Sequence, residues 1–260
     1  MLINFYKYHG AGNDFVIIDN RQQVFPLQNQ LIEKICSRRF GVGADGLILL
    51  EEVADVDFSM RYFNADGKES TMCGNGGRCI VAFASKLGLS DEKAEFRASD
   101  GIHEGVVLKP DKVSLRMSDV ALVKQIPEGY IVNTGSPHLV KFVDDLSETD
   151  VLREGKALRN DPELSEEGIN VNFVSLLGKE KLSIRTYERG VESETLACGT
   201  GSVAAALSAA LKESGEANEY ELQARGGCLK VKFDRNKDNS FSNIWLTGPV
   251  EFVFKGEWKL

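Results

Sequence analysis

Apolar and polar positions alternate through "DFSMRYFNADG", residues 57 to 67, and the alternation stops at an N-A-D-G turn. A period of two predicts a strand, and the Asp-Gly pair predicts the turn that ends it. After "MCGNGGRC" the pattern changes. From about Asn75 to Leu87 the only charges are Arg78 and Lys86, set among Cys79, Ile80, Val81, Phe83, Ala84 and Leu87. This predicts a helix buried on most sides and stopped at Gly88. "EFRASDG", "HEGVVLKPD" and "VSLRMS" then predict three short strands joined by D-G and P-D turns.

The same order returns in the second half. "LSIRTYERG" predicts a strand, Cys198 precedes an Ala-rich helix from about Thr200 to Glu213 stopped at Gly215, and "YELQARGG", "CLKVKFD" and "NIWLTG" predict three more strands. Upstream, "NDFVIID" parallels "SPHLVKFV", "LQNQLIEKICSRR" parallels "ETDVLREGKALRN", and "GADGLILLEE" parallels "GINVNFVSLL". Elements repeated in one order at a nearly constant offset predict a tandem duplication. The expected fold is α+β: two pseudo-symmetric domains, each a mostly antiparallel sheet wrapped around a central buried helix. The expected boundaries are residues 1–118, carrying Cys73, and 119–248, carrying Cys198. A final strand, "PVEFVFKGEW", is expected to complete the first domain from residues 249–260.

Composition narrows the partners. The chain has 260 residues, 42% hydrophobic and 27% charged, with 31 basic against 39 acidic residues and a net charge of -8. That balance argues against nucleic acid or an anionic membrane as partner and leaves room for a small anionic ligand. The N-terminal "MLINFYKYHGAGNDF" lacks the layout of a secretion signal, and no apolar run approaches the roughly 18 residues of a membrane span. Five cysteines without a small secreted scaffold predict reduced thiols and a cytoplasmic location. There is no C-x-x-C pair and the histidines His9, His103 and His138 are scattered, so no metal site is expected.

Cysteine usually behaves as a small buried hydrophobe, and Cys36, Cys79 and Cys228 are assigned to that role. Cys73 and Cys198 differ because each sits just before a helix start, where backbone N–H groups and the positive dipole end lower a thiol's pKa and attract anions. The glycines Gly74, Gly76, Gly77, Gly199 and Gly201 allow close approach of a ligand. Inverting an α-carbon needs a base on one face and an acid on the other, and a thiolate with a thiol fulfils both roles. Competing readings are a dithiol redox pair, a Cys-His hydrolase and a nucleotide-binding loop. Redox pairs usually lie close in one domain, a hydrolase leaves the duplicated motif unexplained, and neither G-N-G-G nor G-T-G-S completes a nucleotide-binding glycine pattern.

At these residues the chain resembles the diaminopimelate epimerase family, from "HGAGNDFVIID" through "FGVGADG", "YFNADG", "MCGNGGRC", "GINVNFV" and "YERG" to "CGTG". The resemblance implies cofactor-independent interconversion of LL- and meso-2,6-diaminopimelate in lysine and cell-wall precursor biosynthesis. It implies Cys73 and Cys198 as the acid/base pair in a cleft between the halves. Gly74, Asn75, Gly199 and Thr200 would bind the reacting carboxylate through the backbone. Asn13, Asn64, Asn170, Glu188 and Arg189 would recognise the ammonium and carboxylate groups. Apart from the resemblance, His138 in "GSPHLV" is expected to be a helper that tunes one of the cysteines. Where the family often has Gly-Asn-Pro-His this chain has "GSPH", placing Ser136 at an amide position, and the segment "ERGVESETLACGTG" is one residue longer than usual. The alternative is a racemase of another amino acid on the same fold. The expected partner is a small amino-acid substrate, and a homodimer is compatible with the sequence.

Overall fold

The computed structural model describes residues 2–213 and 216–260, so the predicted helix stop at Gly215 lies outside the described residues. The chain divides into two compact units, Met1–Leu115 with Gly248–Leu260, and Arg116–Thr247.

In the first unit, β1 (Leu2–Gly10) and β2 (Asn13–Asp19) form an antiparallel hairpin whose turn residues Ala11 and Gly12 both have positive φ, 52° and 83°. The chain then passes through α1 (Asn29–Cys36) to β3 (Gly46–Glu51), which lies parallel to β2. β4 (Phe58–Asn64) returns antiparallel to β3 and is followed by the short β5 (Glu69–Ser70). Next, α2 (Gly74–Lys86) crosses to β6 (Lys93–Ala98), parallel to β4, and β7 (Gly101–Lys109) and β8 (Lys112–Arg116) complete an antiparallel run.

The second unit repeats this order. β9 (Val123–Ile126), β10 (Gly129–Asn133) and β11 (Pro137–Phe142) are antiparallel neighbours, and α3 (Val151–Arg159) leads to β12 (Asn170–Gly178), parallel to β11. β13 (Lys181–Glu188) and β14 (Ser193–Thr195) follow. Then α4 (Gly199–Lys212) crosses to β15 (Glu219–Ala224), parallel to β13, with β16 (Gly227–Arg235) and β17 (Phe241–Pro249) beyond. The last strand, β18 (Glu251–Lys259), pairs antiparallel with β1, as β9 does with β10.

The sheets are therefore mixed: each unit holds two parallel pairs, one across each helix, because a parallel connection needs a crossover long enough to accommodate a helix. Each cysteine helix is the buried centre of its unit. From Gly74 to Ala84, α2 is buried except at Ala82, and it rests on β1 and β7; Phe83 meets Tyr6 at 4.7 Å and Tyr8 at 6.0 Å. α4 is buried at every position from Val203 to Ala210 and rests on β11 and β12. Each starts one residue earlier than the pattern predicts, at Gly74 and Gly199, so that the cysteine itself is the N-cap.

Cys36 and Cys79 are core residues, as expected, but Cys228 is not. In β16 the inward positions are Leu229, Val231 and Phe233, and the pleat turns Cys228 to the exposed face. The strand assignment was right and the face was not.

Phe96 of β6 is fully buried and stacks on Phe58 of β4 with centroids 5.3 Å apart and planes 1° apart. Replacing it with alanine removes a large core side chain, and we expect Phe96→Ala to cost about 3–5 kcal/mol. Urea unfolding of the variant against the parent measures this as a lower midpoint.

Candidate active site

The first cluster lies at the start of α2. Cys73 has extended backbone angles, φ -94° and ψ 127°, its side chain does not cap the helix, and its carbonyl accepts the Gly77 N–H at 2.7 Å. The sulfur lies 3.6 Å from Asn13 Oδ1, positioned for the thiol to donate to it. Asn75 Nδ2 donates to the same oxygen at 3.2 Å. The Asn13 amide is oriented from its other end, where Nδ2 donates to Asp45 Oδ2 at 2.7 Å. Asp45 in turn accepts from Arg38 at 2.6 Å, and Arg38 also binds Asp14, which pairs with the buried Lys7 at 2.7 Å. Burial acts to raise the Asp14 carboxyl, but hydrogen bonds from Arg38 and Lys7 outweigh it and hold the group well below the usual carboxylate range.

The second cluster lies at the start of α4. Cys198 is the N-cap, with φ -112° and ψ 116°, and its carbonyl accepts both the N–H and the hydroxyl of Ser202, at 3.0 and 2.8 Å. Its sulfur is 3.5 Å from Thr200 Oγ1, a hydroxyl that can donate to a thiolate or accept from a thiol. Thr200 Oγ1 lies 2.9 Å from His138 Nε2, which is also 3.0 Å from Ser136 Oγ. On the far side of the ring, Asn172 Nδ2 approaches Nδ1 at 3.0 Å, while its Oδ1 accepts the Thr186 hydroxyl at 3.0 Å. An amide N–H can only donate, so His138 is the tautomer with the proton on Nε2. Burial pushes its pKa down to about 3, and the Arg189 charge adds to the shift, so the ring is neutral at physiological pH.

Asn172 is packed where it can do this because Gly201 of α4 has no side chain: a Cβ there would run into Asn172 Oδ1. The same unit gathers Asn170, whose Nδ2 donates to Ser136 Oγ and to the Pro137 carbonyl, both at 3.2 Å. Its Oδ1 accepts the Arg189 backbone N–H at 2.9 Å. Ser136, His138, Asn170, Arg189, Thr200 and Cys198 thus form one hydrogen-bonded set. Asn13, Asn75 and Cys73 form another, beside Gly74. Asn64 and Glu188 each end the longer strand two elements before a cysteine helix, β4 and β13, the equivalence expected from the repeat. Asn64 is exposed at the mouth of its turn.

The loop with the extra residue is pinned. Glu192, at φ 57°, accepts from Arg159 at 2.9 Å, and Glu194 takes a two-pronged contact from Arg185 at 2.8 and 2.9 Å, which holds its carboxyl below the usual range. Sequence reasoning missed Asn172, Thr186 and Asp45. Asn172 was within reach of it, because in "INVNF" a strand puts residues 170 and 172 on one face. Among the described residues no group of histidine, cysteine and acidic side chains could hold a metal, and no helix is long and apolar enough to cross a membrane.

Two pseudo-symmetric α+β units, each with mixed strands around a buried helix, define a fold class that solved structures share. A Bacillus anthracis protein of the phenazine biosynthesis PhzF family superposes with a TM-score of 0.78 at 16% identity, covering 100% of both chains. A hydroxyproline epimerase from Agrobacterium vitis gives 0.70 at 12% identity, covering 98% of this chain and 92% of that one. These show the fold. The diaminopimelate epimerase family profile matches residues 5–123 and 130–253. A diaminopimelate epimerase from Flavobacterium psychrophilum is 52% identical over 96% of this chain and 98% of its own, and one from Chlorobaculum tepidum is 44% identical over 95% and 98%. The chain belongs to the diaminopimelate epimerase family.

His138 makes a prediction about stability. Its folded pKa, about 3, lies below the unfolded value of about 6.5, so the unfolded chain binds the extra proton. Stability from this group is complete above about pH 6.5 and falls as the pH drops toward 3, by up to about 1.4 kcal/mol per pH unit. We expect His138→Gln to flatten the urea midpoint against pH in that window relative to the parent. An unchanged slope would place the titration elsewhere.

Proposed function

We propose that the chain epimerises 2,6-diaminopimelate without a cofactor, with Cys73 and Cys198 as the two acid/base groups. The observation that carries this is the equivalence of the two thiols. Each is the N-cap of the buried helix of its unit, and each has a hydrogen-bond partner suited to a proton-exchanging sulfur. One cysteine, as thiolate, takes the α-proton, and the C–H electron pair moves into the carboxylate. The other, as thiol, delivers its proton to the opposite face of the same carbon. The two sulfurs end with their protonation states exchanged, which is the starting state for the reverse direction.

Backbone N–H groups at Gly74 and Asn75, and at Gly199 and Thr200, would stabilise the negative charge that builds on the carboxylate. Asn13, Asn64, Asn170, Glu188 and Arg189 would recognise the remaining charged groups, Arg189 through its planar fork and Glu188 as acceptor for an ammonium. Ser136 and His138 support Asn170 and Thr200 respectively. An acidic chain acting on a small amino acid fits a cytoplasmic enzyme with no nucleic-acid or membrane partner, and homodimerisation is compatible with this reading.

Incubation of the reduced protein with LL-diaminopimelate in deuterium oxide, followed by NMR, tests the reading. Meso product should carry solvent deuterium at the inverted centre while remaining LL substrate is initially unlabelled. Cys73→Ala and Cys198→Ala should each lower turnover by at least about 10²-fold. Full activity in either folded variant overturns the two-thiol mechanism, and exchange on a different amino acid instead would establish a racemase of other substrate.

A further inference from the structure

Arg78 is 0% exposed, in the second turn of the helix that Cys73 begins. Nη2 donates to Asn75 Oδ1 at 2.8 Å, Nη1 donates to the Gly74 carbonyl at 3.3 Å, and buried Nε has no partner among the described residues. No carboxylate pairs with it among those residues. A buried guanidinium without a counter-ion is costly. It is also on the wrong end of the helix for stability, since it reaches back to the first turn, where the helix dipole is already positive and acidic groups are the favoured neighbours.

Two sulfurs lie within its electrostatic reach, those of Cys79 and Cys73. Cys79 is fully buried, and burial pushes its thiol far above the ordinary range, so it stays protonated. Cys73 is only partly buried. Asn13 Oδ1, which its thiol faces at 3.6 Å, offers lone pairs and so favours the thiol rather than the thiolate. Asn75 links the two groups, because Arg78 holds its Oδ1 and thereby aims its Nδ2 at the Asn13 oxygen beside the sulfur.

Gly10, the last residue of β1, closes the arrangement. A Cβ there would stand 2.9 Å from the Asn75 carbonyl and 3.3 Å from Arg78 Nη2.

We propose that Arg78 is a positioning residue for Cys73: its buried charge, together with the first-turn amides of α2, stabilises the Cys73 thiolate, and its grip on Asn75 orients the amides beside the sulfur. This rests on the reading of Cys73 as an acid/base group. Other ionisable groups also lie on the elements around α2. Burial pushes Tyr8 of β1 up to about 12, Asp14 of β2 is paired with Lys7 and Arg38, and Tyr62 lies on β4. Asp45 is linked to Cys73 through Asn13, while Asp100 accepts the Met72 N–H at 3.4 Å and binds His103 at 3.1 Å.

The test is alkylation of Cys73 by iodoacetamide against pH, followed by peptide mass spectrometry in a chain carrying Cys198→Ser and Cys228→Ser. In that background Arg78→Met should raise the midpoint by about one unit and slow alkylation at neutral pH about tenfold, and Arg78→Lys should recover most of the loss. A folded Arg78→Met variant with an unchanged midpoint overturns the proposal. Should Arg78→Met fail to fold, the Arg78 Nε–H resonance decides. It should shift with the same midpoint as Cys73 alkylation and lose that shift in Cys73→Ala, whereas a resonance flat through the thiol titration overturns the proposal. Neither readout needs turnover, so failure here is distinct from failure of the epimerase reading, which the deuterium experiment decides.

Discussion

An α-helix that begins inside a packed unit brings with it N–H groups that have no intrahelical acceptor and a concentration of positive charge. Most such starts are capped by an oxygen-bearing side chain. In α2 and α4 the N-cap is a cysteine whose side chain does not cap, and the first turn is built from glycine with asparagine or threonine. Burying the rest of each helix among apolar strands fixes that start in place. The sheets, crossovers and hairpins around it hold the helix where its N-terminus and one sulfur meet.

Seen from the sulfurs, the two units are equivalent in backbone and different in side chains. Cys73 meets an amide oxygen that only accepts, backed by a buried arginine. Cys198 meets a hydroxyl that both donates and accepts, backed by a neutral histidine whose proton is placed by Asn172. Proton exchange at a carbon needs a group that is stable in both of its states. On the proposed reading, one unit would approach that by opposing a hydrogen-bond acceptor to a charge, and the other by using a group that can turn around. The repeated architecture supplies the shared geometry, and different side chains at a few positions give each thiol its own surroundings.

Legibility in the sequence followed the range of the interaction. Periodicity located the strands and both buried helices, and the repeat located the equivalent positions Asn64 and Glu188, since these depend on neighbours a few residues away. Cys228 was placed in the core because cysteine usually is buried; its exposure was decided by the phase of β16, in which Leu229, Val231 and Phe233 take the inward face. Asn172 shares a strand face with Asn170 that the pattern shows, but its contact with His138 is made with another strand, and the full burial of Arg78 likewise depends on elements distant in the chain.

The sequence alone determined the duplication, the charge-poor helices and the two Cys-Gly starts, because hydrophobic period and turn chemistry are local properties of the chain. Tertiary structure decided which oxygen each sulfur meets, which nitrogen of His138 carries the proton, and that Arg78 is buried without a carboxylate partner among the described residues. Those outcomes depend on groups from separate elements, a strand and a helix, meeting within about 3 Å, such as Asn13 with Asn75 and His138 with Thr200. No linear pattern encodes a hydrogen-bond direction across that distance.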